Sequence, residues 1–174
     1  MSVLDPFGGT AMMPLGHLGL PLVPFIFSKA RKTPSWPIFL GALIPDIIDK
    51  PVGHLLLPEN NGRIFAHTLL FAGLVLTIAL AYKPLMPLSF GVSAHHLLDG
   101  MFLEPRTAIW PLLGPFEATD FVLMDWAEVL LRPFTIAEEA AGAFALLWFV
   151  AFVYLSVLTR PWRARSRPVN GAEE

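Results

Sequence analysis

The chain has 174 residues, enough for one domain, of which 55% are hydrophobic and only 15% charged, with a net charge of −2. A soluble domain carries about 25% charged residues, so the balance argues against an ordinary soluble surface, and the lack of excess positive charge argues against a nucleic-acid partner. There are no cysteines, which excludes disulfides, thiolate metal sites and a cysteine nucleophile.

The N-terminus, MSVLDPFGGTAMM, has no basic region ahead of its first apolar run, and Pro14, Pro21 and Pro24 interrupt that run; it does not read as a cleaved signal peptide. Met12 to Phe27 is apolar with one ionisable residue, His17. It is short for a full span, so a tilted or partly re-entrant helix is expected. Lys29, Arg31 and Lys32 form a basic loop, and Trp36 to Ile48 is a second apolar segment, with Trp36 suited to an interface. Pro45 is expected to break or kink this helix just before Asp46 and Asp49. Residues 50–63 carry Pro51, Pro58, Asn60, Asn61 and Gly62, strong turn signals; His54 in this loop reads as solvated or interfacial.

Ile64 to Tyr82 is the clearest span, with His67 near its start. A short turn at Lys83-Pro84 leads into a fourth segment that carries GVSAHHLLDG, residues 91–100. On a helix, His95 and Asp99 lie one turn apart on one face. His96 then points away from that face. Residues 104–133 are mixed and read as a loop followed by an amphipathic helix near the membrane surface. Ala140 to Thr159 is an uncharged last span, and the tail from 161 to 174, basic and then acidic, reads as flexible.

The expected fold is therefore all-α: an integral membrane bundle of about five apolar segments, some kinked or partly re-entrant, as a single domain over 1–160. The rival is a soluble, very apolar helical domain. If all five segments cross, Lys29, Arg31, Lys32, Lys83, Arg160, Arg163, Arg165 and Arg167 share one side, eight of the twelve basic residues. The positive-inside rule puts that side, and the C-terminus, in the cytoplasm.

The same alternation gathers His17, Asp46, Asp49, His67, His95 and Asp99 at one membrane face. Each has a plainer explanation taken singly: a histidine bonded to a backbone carbonyl, a carboxylate capping a helix or pairing with Lys50, a structural histidine–aspartate bond. Several costly groups recurring at one depth favour a shared ligand. Imidazole nitrogen with carboxylate oxygen suits zinc, and also manganese or iron.

At these residues the chain resembles the bacterial and archaeal membrane-bound metal-dependent hydrolases, some described as LexA-binding inner-membrane hydrolases. The pieces are His17 in PLGHLG, Gly41 to Asp46 in GALIPD followed by Asp49, His67-Thr68 in RIFAHT, His95 to Asp99, and Trp110-Pro111. The resemblance covers roughly residues 12–115. The chain departs from it at Gly62, where the family often has a histidine before the arginine. The family is distantly similar to zinc-dependent phospholipases C and single-strand nucleases, which use further ligands downstream, including histidines and a glutamate. Here no histidine follows His96, so a one- or two-metal site is expected.

The resemblance implies a hydrolase of a phosphoester or lipid head group in the inner membrane. It implies His17, Asp46, His67, His95 and Asp99 as ligands of a divalent metal, zinc first. Asp46 or Asp99 is the candidate for a bridging carboxylate, and Asp49 for an orienting group or general base. Arg63, or else Arg106 on the same predicted face, would clamp a phosphate. The alternative is a non-catalytic membrane protein with a structural metal or an ion or proton relay. A relay needs polar groups continuing across the membrane, and beyond Thr77 and Ser156 the third and fifth segments have almost none.

Overall fold

The computed structural model describes residues 14–24, 36–119 and 131–165. No strand occurs among them; they form helices, 3-10 turns and loops. Helix α1 (Pro14–Gly19) runs into a 3-10 turn at Leu20–Leu22. Helix α2 (Trp36–Leu55) follows, then a 3-10 turn at Phe65–His67 and helix α3 (Leu69–Ala81). A 3-10 turn at Lys83–Leu85 reverses the chain into α4 (Met86–Leu98). After the short helix α5 (Pro105–Ala108), the long helix α6 (Pro133–Arg165) closes the described chain.

Several expected boundaries shift, each for a local reason. The clear span expected over 64–82 does not start as a helix at Ile64. Its first residues fold as the 3-10 turn, and Thr68, extended at φ −88°, ψ 153°, caps α3 by accepting from the Phe71 amide at 3.0 Å. Helix α2 does not break at Pro45: it continues through both Pro45 and Pro51 to Leu55. The last helix starts before Ala140, because Pro133 supplies a preset first turn. It also runs on through Pro161 to Arg165, where the flexible tail was expected to begin. The basic loop at 29–32, residues 120–130 of the stretch 104–133 read as a loop and an amphipathic helix, and the tail beyond 165 lie outside the described residues.

Among the described residues one helix can cross a bilayer by length and composition, over Thr135–Leu155; α3 is apolar throughout but has only 13 residues. Helix α2 is long enough at 20 residues, yet it carries Asp46, Asp49 and Lys50 in its second half. Large apolar side chains line the outside of α3 and α6, including Leu70, Leu74, Leu80, Leu147 and Trp148. A water-facing helix does not present such a surface; a lipid-facing one does.

Two glycine crossings hold the helices at close range. A Cβ on Gly91 of α4 would collide with the Ile38 carbonyl and stand 2.9 Å from the Ala42 amide nitrogen, both backbone atoms of α2. Gly142 of α6 likewise presses against the backbone of Leu15 and Gly16 in α1. Small residues at such crossings let helix backbones meet where lipid offers no hydrophobic drive to association. The α2–α4 crossing sets the register of the site: one turn beyond Gly91 lies His95, and it reaches Ala42.

Candidate metal centre

Asp49 organises the centre. It is fully buried, and its two carboxylate oxygens accept four N–H groups: the amides of Ile64 (2.9 Å), Ala66 (2.9 Å) and His67 (3.0 Å), and His67 Nδ1–H (2.7 Å). A buried carboxylate is tolerable only when so satisfied. The backbone contacts fold residues 65–67 into their turn. The side-chain contact fixes the tautomer of His67, because a carboxylate can only accept; Nε2 of His67 is left with its lone pair facing inward.

His95 is fixed the same way from the other side. Its Nδ1–H donates to the Ala42 carbonyl at 2.7 Å, which again leaves Nε2 as the inward atom. Pro45 has no N–H to offer the Gly41 carbonyl one turn earlier, so this stretch of α2 is already exceptional in its backbone bonding. Asp99 follows one turn after His95, on the last turn of α4, where its amide bonds the His95 carbonyl at 2.9 Å. Gly100, at φ 63°, ends the helix in the left-handed conformation.

The two inward nitrogens meet. His67 Nε2 and His95 Nε2 are 3.2 Å apart. Asp99 Oδ2 lies 3.4 Å from the first and 3.6 Å from the second, and Asp46 Oδ1 lies 3.5 Å and 3.9 Å from them. One atom from each of Asp46, His67, His95 and Asp99 lies within 4.8 Å of all the others. A tetrahedral ion with bonds of about 2.0–2.2 Å holds its ligand atoms about 3.3–3.6 Å apart. Four of the separations, 3.2–3.6 Å, match that spacing, and the Asp46–His95 separation of 3.9 Å is wider. Two lone pairs turned on each other also need a proton or a cation between them, and the donor set of two imidazoles and two carboxylates supplies compensating charge. Metal-ligating histidines commonly give their other N–H to a carboxylate or a backbone carbonyl; His67 does the first and His95 the second.

The remaining expected residues fall around this group. His17, buried, stands outside the mutual shell of four; its Nε2 is 3.2 Å from Asp99 Oδ1, and its ring lies 4.2 Å from that of His95. The two oxygens of Asp99 are thus divided, Oδ2 to the shell and Oδ1 to His17. Arg63 places Nε 3.4 Å from Asp99 Oδ2 and pairs with Glu104 at 2.5 Å. Arg106 is not brought to the centre: it is exposed on the surface and pairs with Glu117 at 2.6 Å. His96 gives its Nδ1–H to the Val92 carbonyl of its own helix at 2.8 Å and contributes no atom to the group of four, although its ring is 6.0 Å from that of His95.

His54 is not simply solvated. It is half-buried, its Nδ1 is 2.9 Å from Asn60 Oδ1, and a Cβ at Gly62 would stand 2.5 Å from its Nε2. The ring of His54 thus fills the space beside Arg63 that a side chain at position 62 would need.

Lys50, four residues on, holds the outer oxygen of Asp46 at 2.6 Å, the pairing that its spacing suggested. Two other contributors escaped the sequence reading. Asn61 steadies the loop of Arg63, accepting from the Arg63 amide at 2.8 Å and donating to the Glu117 carbonyl at 2.9 Å. Glu139 of α6 accepts from the Gly16 amide at 2.7 Å and so ties α6 to the helix that carries His17. Neither of these last two pairings has a sequence signature, since each joins distant segments.

An all-helical chain with a lipid-type outer surface and a buried histidine–aspartate centre defines a membrane protein with a candidate metal site. Over residues 12–163 it matches the YdjM inner membrane protein family, and it belongs to that family. It is accordingly a membrane protein. No curated protein and no solved structure matches the chain.

Proposed function

We propose that this chain is a membrane-embedded, metal-dependent hydrolase of a phosphoester, with a lipid head group as the substrate class. In this reading α1, α2, α3, α4 and α6 lie in the bilayer as one bundle. The observation that carries the metal is the approach of His67 Nε2 and His95 Nε2 to 3.2 Å, each with its other nitrogen committed elsewhere. Zinc suits the donors best, and manganese and iron share them. A bound divalent ion supplies Lewis acidity and a water of lowered pKa.

The chain's own residues would do the following. Asp46, His67, His95 and Asp99 hold the ion, and His17 fixes Asp99 through its second oxygen. Asp49 orients His67; with both oxygens filled by donors, it is an orienting group rather than a general base. Arg63 is the anion-binding group, since its guanidinium borders the ligand Asp99 and can form a forked contact with a phosphate.

Metal analysis of the detergent-purified protein beside a His95→Ala/Asp99→Ala variant tests the centre. Bound metal in the first and none in the second is expected, and equal metal in both would refute it. Hydrolysis of a phosphoester by the loaded protein, abolished by chelation, tests the activity.

One observation favours a second reading, a structural metal site. Four protein donors complete a tetrahedron, as structural sites do, whereas catalytic sites keep a position open. Asp46 decides between them: it is the most exposed of the four and lies farthest from His95. Cobalt-substituted protein distinguishes the cases. A visible spectrum that changes on adding inorganic phosphate supports an open position, and an unchanged spectrum supports the structural site.

A further inference from the structure

The helices that frame the centre are shorter than the membrane they belong to. Helices α3 and α4 have 13 residues each, about 20 Å at 1.5 Å per residue, against a hydrocarbon core of about 30 Å. The difference must be made up at one end of this hairpin. One end is the turn at 82–85, where Tyr82 and Lys83 are exposed, a pair suited to anchoring at a membrane–water interface. The other end carries the candidate centre, and its loops expose large apolar side chains beside the Arg106–Glu117 pair.

At that end Leu56 is 74% exposed, Phe102 69% and Leu112 81%, and each has an apolar neighbour in sequence that is also exposed. These three loops belong together. Arg63 pairs with Glu104, the Thr119 amide donates to the Glu59 carbonyl at 2.8 Å, and Trp110 lies 6.3 Å edge-on from Phe65 and is stacked on Phe116 at 5.0 Å. The result is an apolar rim set around Arg63, Glu104 and the metal ligands. It continues the exposed apolar faces of α3 and α6, which lipid covers in a membrane protein.

We infer that the loops at the site-bearing end are seated in the bilayer, with Leu56, Phe102 and Leu112 entering the hydrocarbon and the candidate centre lying at the level of the lipid head groups. Seating this end adds the depth that the short helices lack. It leaves the charged ends of Lys50 and Arg106, both partly or largely exposed, within reach of the head-group layer, where long basic side chains extend their charge while their stems stay apolar. The route to the centre is then from the membrane rather than from water. This deepens the hydrolase reading by giving its site an access route, and rests on that reading only for what happens after access.

The absence of native cysteines allows single nitroxide labels to be placed without background. Labels on Leu56→Cys, Phe102→Cys and Leu112→Cys replace exposed side chains, so folding is preserved. In vesicles of phosphatidylethanolamine and phosphatidylglycerol, each label is expected to collide several-fold more often with oxygen than with a water-soluble nickel chelate. A label on Leu147→Cys, in the span, gives the same pattern, and one on Lys83→Cys gives the reverse. Labels at 56, 102 and 112 that behave like the one at 83 overturn the inference. The measurement reads depth without turnover, so it can succeed where the hydrolase reading fails, and fail where that reading succeeds.

Discussion

Asp49, eighteen residues earlier, orients the His67 ring through a hydrogen bond of 2.7 Å. Asp49→Asn keeps the shape of the side chain but turns an amide N–H₂ towards groups that only donate. With the N–H₂ at the Oδ1 position the Ala66 bond is lost; with it at the Oδ2 position three bonds are lost and the tautomer of His67 is no longer imposed. Metal affinity should fall about 10–100-fold, the usual cost of removing such a partner, measured by competition with a chromophoric chelator. An unchanged affinity would remove Asp49 from the site. Much of the residue scale was legible beforehand. His95 and Asp99 are one helical turn apart, and any helix places them on one face. The family resemblance implied Asp46 as a ligand and Asp49 as an orienting group or base; spacing alone does not divide them, because the division depends on where residues 64–67 fold back against α2. His17 was expected as a ligand and instead stands outside the group of four, beside the outer oxygen of Asp99; nothing in PLGHLG separates those two places.

At the scale of elements, the centre depends on how closely α2 and α4 cross. A methyl group at Gly91 meets backbone rather than flexible side chain, so Gly91→Ala forces the helices apart. Overpacking of this kind costs about 1–3 kcal/mol. The displacement also draws His95 away from the Ala42 carbonyl, which its Nδ1 reaches at 2.7 Å. A lower melting temperature in detergent and weaker metal binding should appear together. Gly73→Ala is the control, since a Cβ there meets nothing within 4 Å. Equal behaviour of the two variants would mean that the crossing does not hold the site. The elements themselves were only partly legible. Apolar runs gave the helices, but the run 64–82 could not reveal that its first residues would give their amides to Asp49 instead of starting a helix. Proline at position 45 also misleads as a stop signal, because a helix can continue past it despite one missing donor.

For the whole molecule, direction along the chain decides which way the centre faces. Helix α4 leads from the turn at 82–85 to the site-bearing end, where His95 and Asp99 lie. Helix α6 starts beside α1 at that same end, through Glu139 and Gly16, and leads away from it. If both helices traverse the membrane, Lys83 and the C-terminus are on one side and the centre is on the other. The C-terminal stretch carries Arg160, Arg163, Arg165 and Arg167, and Lys83 adds a fifth positive charge to that side. Positive residues close to spans are retained in the cytoplasm, so the C-terminus and Lys83 should be cytoplasmic and the centre should face the outer leaflet. A C-terminal reporter that is active only in the cytoplasm tests the first half. Lys83→Cys tests the second: an impermeant thiol reagent should modify it in inverted vesicles and not in intact cells. Activity of a periplasmic reporter together with labelling from outside would invert the protein and leave the bundle intact. A cytoplasmic C-terminus with Lys83 labelled from outside is the damaging result, because α4 and α6 would then no longer return to a common side, and the single site-bearing end would be lost with them.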